Sequence, residues 1–122
     1  MWWFEQTEEE NHRKFVKHLL PYQISQAHAV EMGDMNNNGV PDLITGKRYL
    51  AHNGNDPGWD DPLVLLWMEA YKKPGGETKY HIVEIDEGIG VGTQIVLEDM
   101  NEDGKPDILI SNKKGSYIFQ QK

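Results

Sequence analysis

A nine-residue polar segment occurs twice in this 122-residue chain, once in each half. Loop 1 spans residues 34–42 with the sequence DMNNNGVPD, and loop 2 spans residues 99–107 with the sequence DMNEDGKPD. Oxygen-bearing side chains occupy positions 1, 3, 5 and 9 of both loops, a glycine occupies position 6, and a proline precedes the last aspartate. This duplication indicates that the chain contains two copies of one structural unit.

The spacing of the oxygen atoms predicts a calcium site in each loop. Ca²⁺ takes six to eight oxygen ligands at about 2.3–2.6 Å, and alternate residues of a curling loop can point such ligands inward while the carbonyl of position 7 supplies another. Loop 2 has more negative charge than loop 1, so its site should be tighter. The predicted ligands are Asp34, Asn36, Asn38, Val40 and Asp42 in loop 1, and Asp99, Asn101, Asp103, Lys105 and Asp107 in loop 2.

An EF-hand shares the first six positions of this pattern, but it needs a bidentate glutamate at position 12 and a helix on each side. Position 12 is Thr45 in one copy and Ile110 in the other, and short apolar, β-branched runs follow both loops. Because these runs predict strands, the EF-hand interpretation fails. Turns rich in Asn, Asp, Gly and Pro that bind no metal remain the alternative to calcium loops.

Charge and composition argue against several classes of partner. The chain has 20 acidic residues against 12 Lys and Arg, which gives a net charge of −8, and it has no basic stripe, so nucleic acid is not an expected partner. It has no cysteine for disulfides or thiolate metal sites. No run approaches the ~18 apolar residues of a spanning helix, so no membrane insertion is expected.

Extending the comparison of the two halves beyond the loops predicts an all-β fold. The pattern indicates about two four-stranded antiparallel β-propeller blades plus one extra N-terminal strand, with each loop between the second and third strands of its blade. An amphipathic helix over residues 8–20 is the competing interpretation of that segment. The predicted strands lie within residues 2–5, 15–20, 27–32, 43–45, 63–69, 79–83, 93–97, 108–111 and 116–120.

The predicted boundaries place one blade at residues 14–70, with an insertion at 49–61, and a second blade at 79–121. Residues 2–5 are expected to be the outer strand of a preceding blade. A propeller ring needs about four to eight blades, so two blades cannot close one. The expected partners are therefore further copies of the chain in a homo-oligomeric ring, or the missing blades of a longer chain.

Together, these features resemble the FG-GAP/VCBS repeat family of calcium-loop β-propellers, in particular the closing blades of long secreted bacterial members. The resemblance covers nearly the whole chain and rests on the two loops, on residues 27–30 and on the strands Trp2-Trp3-Phe4 and Leu66-Trp67-Met68. The chain lacks the Phe-Gly and Gly-Ala-Pro signatures of integrin-type repeats. The resemblance implies a non-enzymatic scaffold with two structural calcium ions and an extracellular or periplasmic location.

Three residues outside the loops are candidates for ligand binding. His52 and Trp59 lie in the polar insertion, where Trp59 could stack on a sugar, and Arg48 follows Lys47 at the end of a predicted strand and could meet an anion. Solvated loop polarity, or packing of the insertion onto its own blade, would explain them without a ligand. The alternative function is therefore a carbohydrate-binding or accessory propeller module of a polysaccharide-active enzyme. No catalytic constellation is found in the sequence.

Overall fold

The computed structural model describes all residues from Met1 to Lys122 and is all-β, apart from one short 3₁₀ turn. Every predicted strand segment lies on or overlaps a strand, and residues 12–19 form a strand and not the competing helix. The elements are β1 (Trp2–Glu9), β2 (His12–Leu19), β3 (Ala27–Gly33), β4 (Asp42–Lys47), the 3₁₀ turn (Ala51–Gly54), β5 (Leu65–Lys72), β6 (Thr78–Asp86), β7 (Ile95–Glu98), β8 (Asp107–Asn112) and β9 (Gly115–Phe119).

The strands form three antiparallel sheets in which each strand pairs with its neighbour in sequence. β1 and β2 form a two-stranded unit, called here the N-terminal hairpin. β3, β4, β5 and β6 form the four-stranded central sheet. β7, β8 and β9 form the three-stranded C-terminal sheet. Such meanders need only short connections, which agrees with the regular spacing of turn residues in the sequence.

The grouping of the strands differs from the predicted boundaries at residues 79–83 and 14–20. β6 pairs with β5 in the central sheet, because the turn over residues 73–77 is closed by hydrogen bonds between Lys73 and Glu77 (2.9 Å) and between Gly76 and Lys73 (2.9 Å). The segment 2–5 is part of a hairpin with β2 and not a single extra strand. Each loop therefore joins the first and second strands of its sheet.

The N-terminal hairpin turns tightly at Glu10 and Asn11. Both residues have positive φ angles, 51° and 62°, as the two central residues of a type I′ turn require. The turn leaves β1 and β2 in register from Trp2 opposite Leu19 to Glu9 opposite His12. The hairpin geometry thus takes β2 away from the central sheet, where the repeat alignment had placed it.

The core lies in two layers between the three sheets. Leu66 and Met68 of the central sheet are fully buried beside Trp3 of the hairpin. The Trp3 ring packs edge-on against the Tyr80 ring, with 6.3 Å between the ring centres. The opposite face of the central sheet packs on the C-terminal sheet through a cluster that includes Ile44 and Ile108. The central sheet is consequently covered on both faces, as in a stack of three layers.

Two glycines differ in the kind of group that an added side chain would meet. A Cβ added at Gly92 would lie 1.8 Å from the Ser111 carbonyl oxygen, which belongs to strand β8 and cannot move freely. A Cβ added at Gly33, at the end of β3, would lie 2.7 Å from Cδ1 of Leu97, the flexible end of a side chain on β7. The first position is therefore far less tolerant of a methyl group than the second.

We expect Gly92→Ala to reduce the free energy of unfolding by about 3 kcal/mol or more, because the added methyl group must displace the β8 backbone. Gly33→Ala is the matched control, with an expected loss of about 1 kcal/mol, since Leu97 can change rotamer. Urea unfolding followed by circular dichroism measures both variants. Equal losses would contradict the described path of residues 90–92 along β8.

Candidate metal centre

Loop 1 and loop 2 have the same backbone conformation. Loop 1 joins β3 to β4 and loop 2 joins β7 to β8, and the aspartate at position 9 is the first residue of the second strand in each case. Position 4 has a positive φ angle in both loops, 59° at Asn37 and 60° at Glu102. Position 6 has φ angles of 80° at Gly39 and 85° at Gly104, which explains the need for glycine there.

In loop 1 the side-chain oxygens at positions 1, 3 and 5 point at the loop's own backbone amides. Asp34 accepts hydrogen bonds from Asn38 N at 3.0 Å and from Gly39 N at 2.7 Å. The Asn36 side-chain oxygen accepts from Asn38 N at 3.1 Å, and the Asn38 side-chain oxygen accepts from Val40 N at 2.7 Å. These oxygens therefore line the concave side of the curling loop, where the calcium hypothesis needs them.

Loop 2 repeats each of these four bonds at the same positions. Asp99 accepts from Asp103 N at 3.1 Å and from Gly104 N at 2.8 Å. The Asn101 side-chain oxygen accepts from Asp103 N at 3.1 Å, and Asp103 accepts from Lys105 N at 2.9 Å. The sequence repeat is thus also a repeat of hydrogen bonds, with closely matching distances.

The aspartate at position 9 connects each loop to a more distant part of its sheet. Asp42 is completely buried, and its two carboxylate oxygens accept hydrogen bonds from Met35 N at 3.0 Å and from Ala70 N, on β5, at 2.6 Å. Asp107 is equally buried and accepts from Met100 N at 3.1 Å and from Gln121 N, just after β9, at 2.9 Å. Two amide donors compensate the desolvation of each buried carboxylate.

The two loops differ in their other contacts to the sheet. In loop 1, the Asn36 amide donates to a Glu69 carboxylate oxygen at 2.6 Å, and the Asn38 amide donates to the Ala70 carbonyl at 3.0 Å. In loop 2, the Asn101 amide donates to Asp103 at 2.9 Å and so stays within the loop. The asparagines of loop 1 are therefore donors to β5, a role that the sequence comparison missed.

Both loops lie at the same end of the sheet stack and contact each other. The Asn37 side chain of loop 1 donates a hydrogen bond to the Gly104 carbonyl of loop 2 at 3.1 Å. The Gln121 side chain, which follows β9, donates to the Met35 carbonyl of loop 1 at 2.7 Å. Gln121 thus contacts loop 1 through its side chain and Asp107 through its backbone.

No group of three or more His, Cys, Asp or Glu side chains that could hold a metal ion is present. Asp42 and Asp107 each accept one hydrogen bond from an amide near the start of the loop and one from an amide outside the loop. The side-chain oxygens that face the backbone amides inside each loop therefore come mainly from the first, third and fifth positions.

The three candidate ligand residues outside the loops do not come together. His52 contacts Asp56 through its ring, and both belong to the insertion. Trp59 lies over Gly54, with ring atoms 3.3 Å from the position of an added Cβ, and about half of the residue is exposed. Arg48 lines a different cleft beside Thr93 and Lys113. Lys113 also donates hydrogen bonds to the Leu50 carbonyl and the Asn53 side chain of the insertion, but neither His52 nor Trp59 lines the cleft of Arg48.

Lys47, which precedes Arg48 at the end of β4, is almost completely buried. It is 1% exposed, and its ammonium donates a hydrogen bond to the Trp59 carbonyl at 2.8 Å. Lys47 therefore holds the insertion against the end of β4 and does not present a positive charge to solvent. Sequence reasoning paired it with Arg48 as an anion site because strand alternation does not show that the insertion covers it.

A cleft of about 460 Å³ lies beside Lys47, and its lining includes Tyr22, Glu84 and Glu87. Burial and the nearby Glu84 carboxylate raise the pKa of Tyr22. A side-chain hydrogen bond to Glu84 and repulsion between the two carboxylates raise the pKa of Glu87. The hydrogen bond is the larger cause of the raised Glu87 pKa, and the crowding of carboxylates at the end of β6 adds to it.

Comparisons of the chain with protein-family models, with curated proteins and with solved structures give no match. The structure contains no helix with the length and apolar character needed to cross a bilayer.

We expect Asp42→Asn to lower the free energy of unfolding by about 2 kcal/mol. An amide side chain has one acceptor oxygen, so either Met35 N or Ala70 N would lose its buried partner and face an NH₂ group. Asp107→Asn should have a similar effect, because its two bonds are equivalent. Chemical unfolding in the presence of a chelator measures this effect apart from any metal.

The matched control is Asp60→Asn, because Asp60 is exposed and lies in the insertion away from both loops. It should change stability little. If Asp42→Asn were as mild as this control, the buried carboxylate would not be needed to connect loop 1 to β5.

Proposed function

We propose that this chain is a calcium-binding β-propeller repeat module of the FG-GAP/VCBS type, in which calcium has a structural role and the sheets provide a scaffold for binding or assembly. The observation that carries the proposal is the repetition of one hydrogen-bond pattern in loop 1 and loop 2. The proposal includes no catalytic role for any residue.

The chemistry of the donor set fits a hard cation. Asp34, Asn36 and Asn38 in loop 1 supply only oxygen atoms to the concave side of the loop, as do the equivalent residues of loop 2. These oxygens accept backbone hydrogen bonds, and carboxylate or amide oxygens have a second lone pair. Carbonyl oxygens of Val40 and Lys105 would add to this set, and Asp42 and Asp107 would use their remaining lone pairs.

Calcium would supply positive charge at the end of the stack where acidic side chains accumulate. The loops contact each other through Asn37 and Gly104, so the charge of one loop acts on the other. Neutralising this charge would favour the folded loops and the packing of the central sheet on the C-terminal sheet. The role of the metal in this proposal is therefore rigidity of the scaffold.

Loop 2 should bind calcium more tightly than loop 1. Asp103 supplies a carboxylate where loop 1 has Asn38, and affinity in such loops rises with ligand charge. The Asn38 side-chain amide also donates a hydrogen bond to the Ala70 carbonyl. An aspartate at position 38 would therefore place a carboxylate oxygen against this carbonyl oxygen. The difference between the loops thus has a local structural reason.

We expect saturating Ca²⁺ to raise the melting temperature, whereas Mg²⁺ should not substitute for it. At ten times the dissociation constant, mass action adds about 1.4 kcal/mol per site, which corresponds to a rise of ~5 °C for a domain of this size. Isothermal titration calorimetry should show two sites of unequal affinity. Asp103→Asn should weaken the tighter site to a level near that of loop 1.

The control for this experiment is Glu102→Gln, which removes one charge from an exposed position of loop 2 that is not a predicted ligand. Glu102→Gln distinguishes the loss of a ligand from the loss of a charge, and it should leave the calcium affinity of both sites nearly unchanged. No calcium-dependent heat and an unchanged melting temperature in the unaltered chain would overturn the calcium proposal.

In the propeller interpretation, the central sheet is one complete blade of four strands. The N-terminal hairpin would provide the last two strands of a preceding blade, and the C-terminal sheet would provide the first three strands of a following blade. Support comes from Trp3 and Trp67, which occupy equivalent positions of the repeat and each pack toward the next sheet along the chain. An extracellular or periplasmic location belongs to this proposal through the family resemblance alone.

A second candidate function is carbohydrate binding by the insertion, which is favoured by the half-exposed indole of Trp59. Lys47 fixes the backbone at this residue, so the ring is presented from an ordered segment. We expect Trp59→Ala to abolish any signal on a glycan array without changing the melting temperature by more than a few degrees. Binding that persists in Trp59→Ala, or no binding by the unaltered chain, would exclude this site.

A further inference from the structure

The two outer surfaces of the sheet stack both expose apolar side chains in cross-strand rows. On the hairpin, the outer face carries Trp2, which lies opposite Leu19, together with Phe4 and Phe15, and all four are at least half exposed. We call this surface the hairpin face. On the C-terminal sheet, the outer face carries Val96, Leu109 and Ile118 in one row, which we call the C-terminal face.

The C-terminal face occupies the same repeat positions as a buried face of the central sheet. When loop 1 is aligned with loop 2, Leu109 falls on Ile44, and Leu109 pairs with Ile118 as Ile44 pairs with Trp67. Ile44 is completely buried, and Trp67 packs against the same cluster, which the C-terminal sheet covers. By position, the C-terminal face is the surface on which a following sheet packs.

The hairpin face occupies the positions of the opposite buried face of the central sheet. Aligning Trp3 with Trp67 places Trp2 and Phe4 on Leu66 and Met68, which are completely buried beside the hairpin. Trp3, between Trp2 and Phe4, points the other way and packs on the central sheet. By position, the hairpin face is the surface on which a preceding sheet packs.

The chain therefore exposes one surface of the kind that packs on a following sheet and one of the kind that packs on a preceding sheet. Within the chain, these two kinds of surface pack on each other twice, between the hairpin and the central sheet and between the central sheet and the C-terminal sheet. We propose that the C-terminal face of one copy binds the hairpin face of a second copy, in a head-to-tail contact that repeats the internal sheet-to-sheet packing. This inference gives the proposed scaffold a partner, but it rests on the sheet stack alone and does not require calcium. Head-to-tail contacts of this kind either close into a ring or extend.

Charge on the two faces supports a second copy as the occupant. Arg13 and Lys17 lie on the hairpin face with one acidic residue, Glu8, and Lys17 lies 3.9 Å from the centre of the Trp2 ring. Glu98 is exposed on the C-terminal face. Neither Arg13 nor Glu98 forms an ion pair within the chain. The excess charge is thus positive on the hairpin face and negative on the C-terminal face, which favours binding between unlike faces and disfavours self-pairing of either one.

The test is the solution mass of two variants, measured alone and mixed by size-exclusion chromatography with light scattering. The unaltered chain should show a mass of at least two 14.0 kDa chains. Ile118→Glu disables the C-terminal face, Phe4→Glu disables the hairpin face, and each should run as a single chain. An equimolar mixture should give a two-chain complex, because each variant keeps the one face that the other lacks.

Tyr71→Glu is the control, since Tyr71 is an exposed aromatic residue of β5 that belongs to neither face. It should keep the mass of the unaltered chain. Val96→Glu and Leu19→Glu form a second pair if either first variant fails to give the circular dichroism of the folded chain. All masses are measured with Ca²⁺ and with a chelator, so that loss of calcium binding is recognised separately from loss of assembly.

Three results would overturn the inference. A single-chain mass for the unaltered protein at high micromolar concentration would exclude the contact. Assembly that survives either Ile118→Glu or Phe4→Glu would show that a contact other than the proposed one joins the copies. Folded variants that form no complex on mixing would show that the two faces do not bind each other.

Discussion

The buried carboxylates of Asp42 and Asp107 are the interactions on which the two loops depend. Each carboxylate accepts one amide from the start of its loop and one from a residue on or after the third strand of its sheet. The paired residues of β4 and β5 end at Leu43 and Met68. Beyond this pair, the hydrogen bond from Ala70 N to the Asp42 carboxylate joins the two strands where loop 1 meets the sheet. A neutral side chain with one acceptor cannot serve both amides, which explains why position 9 is aspartate in both copies.

The loops also connect the two larger sheets, so local loop order and sheet packing are not independent. Gln121 donates its backbone amide to Asp107 and its side-chain amide to Met35 of loop 1. Met35 is itself completely buried in the cluster between the central sheet and the C-terminal sheet. A change that loosens loop 2 would therefore reach loop 1 through this residue. In stacked repeats, stability is largely a sum of such contacts between neighbours.

The sequence predicted at least part of every strand, in most cases because the strand contains a short apolar and β-branched run bounded by turn residues. β2 has no such run, and its prediction came from the alignment of the two halves. The sequence did not predict how the strands group. The Pro74-Gly75-Gly76 turn between β5 and β6 is a hairpin signal that could have placed β6 in the central sheet. The turn at Glu10 and Asn11 is different, since neither residue is a glycine and both nonetheless take positive φ angles. In the structure, the pairing of β1 with β2 alone and the packing of Trp3 against Tyr80 identify the hairpin as a separate layer.

The candidate site was predictable to a similar extent and for a related reason. Spacing along a loop determines which side chains curl inward, so the inward placement of Asp34 and Asp99 follows from sequence alone. Contacts between a loop and another strand cannot be predicted from this spacing, and these contacts distinguish the two loops. Asn36 and Asn38 are neutral because their amide groups donate to β5, a contact that no carboxylate could make. The lower charge of loop 1 is thus a consequence of its attachment to the central sheet, and the loop with the freer side chains retains the charge that a cation would need.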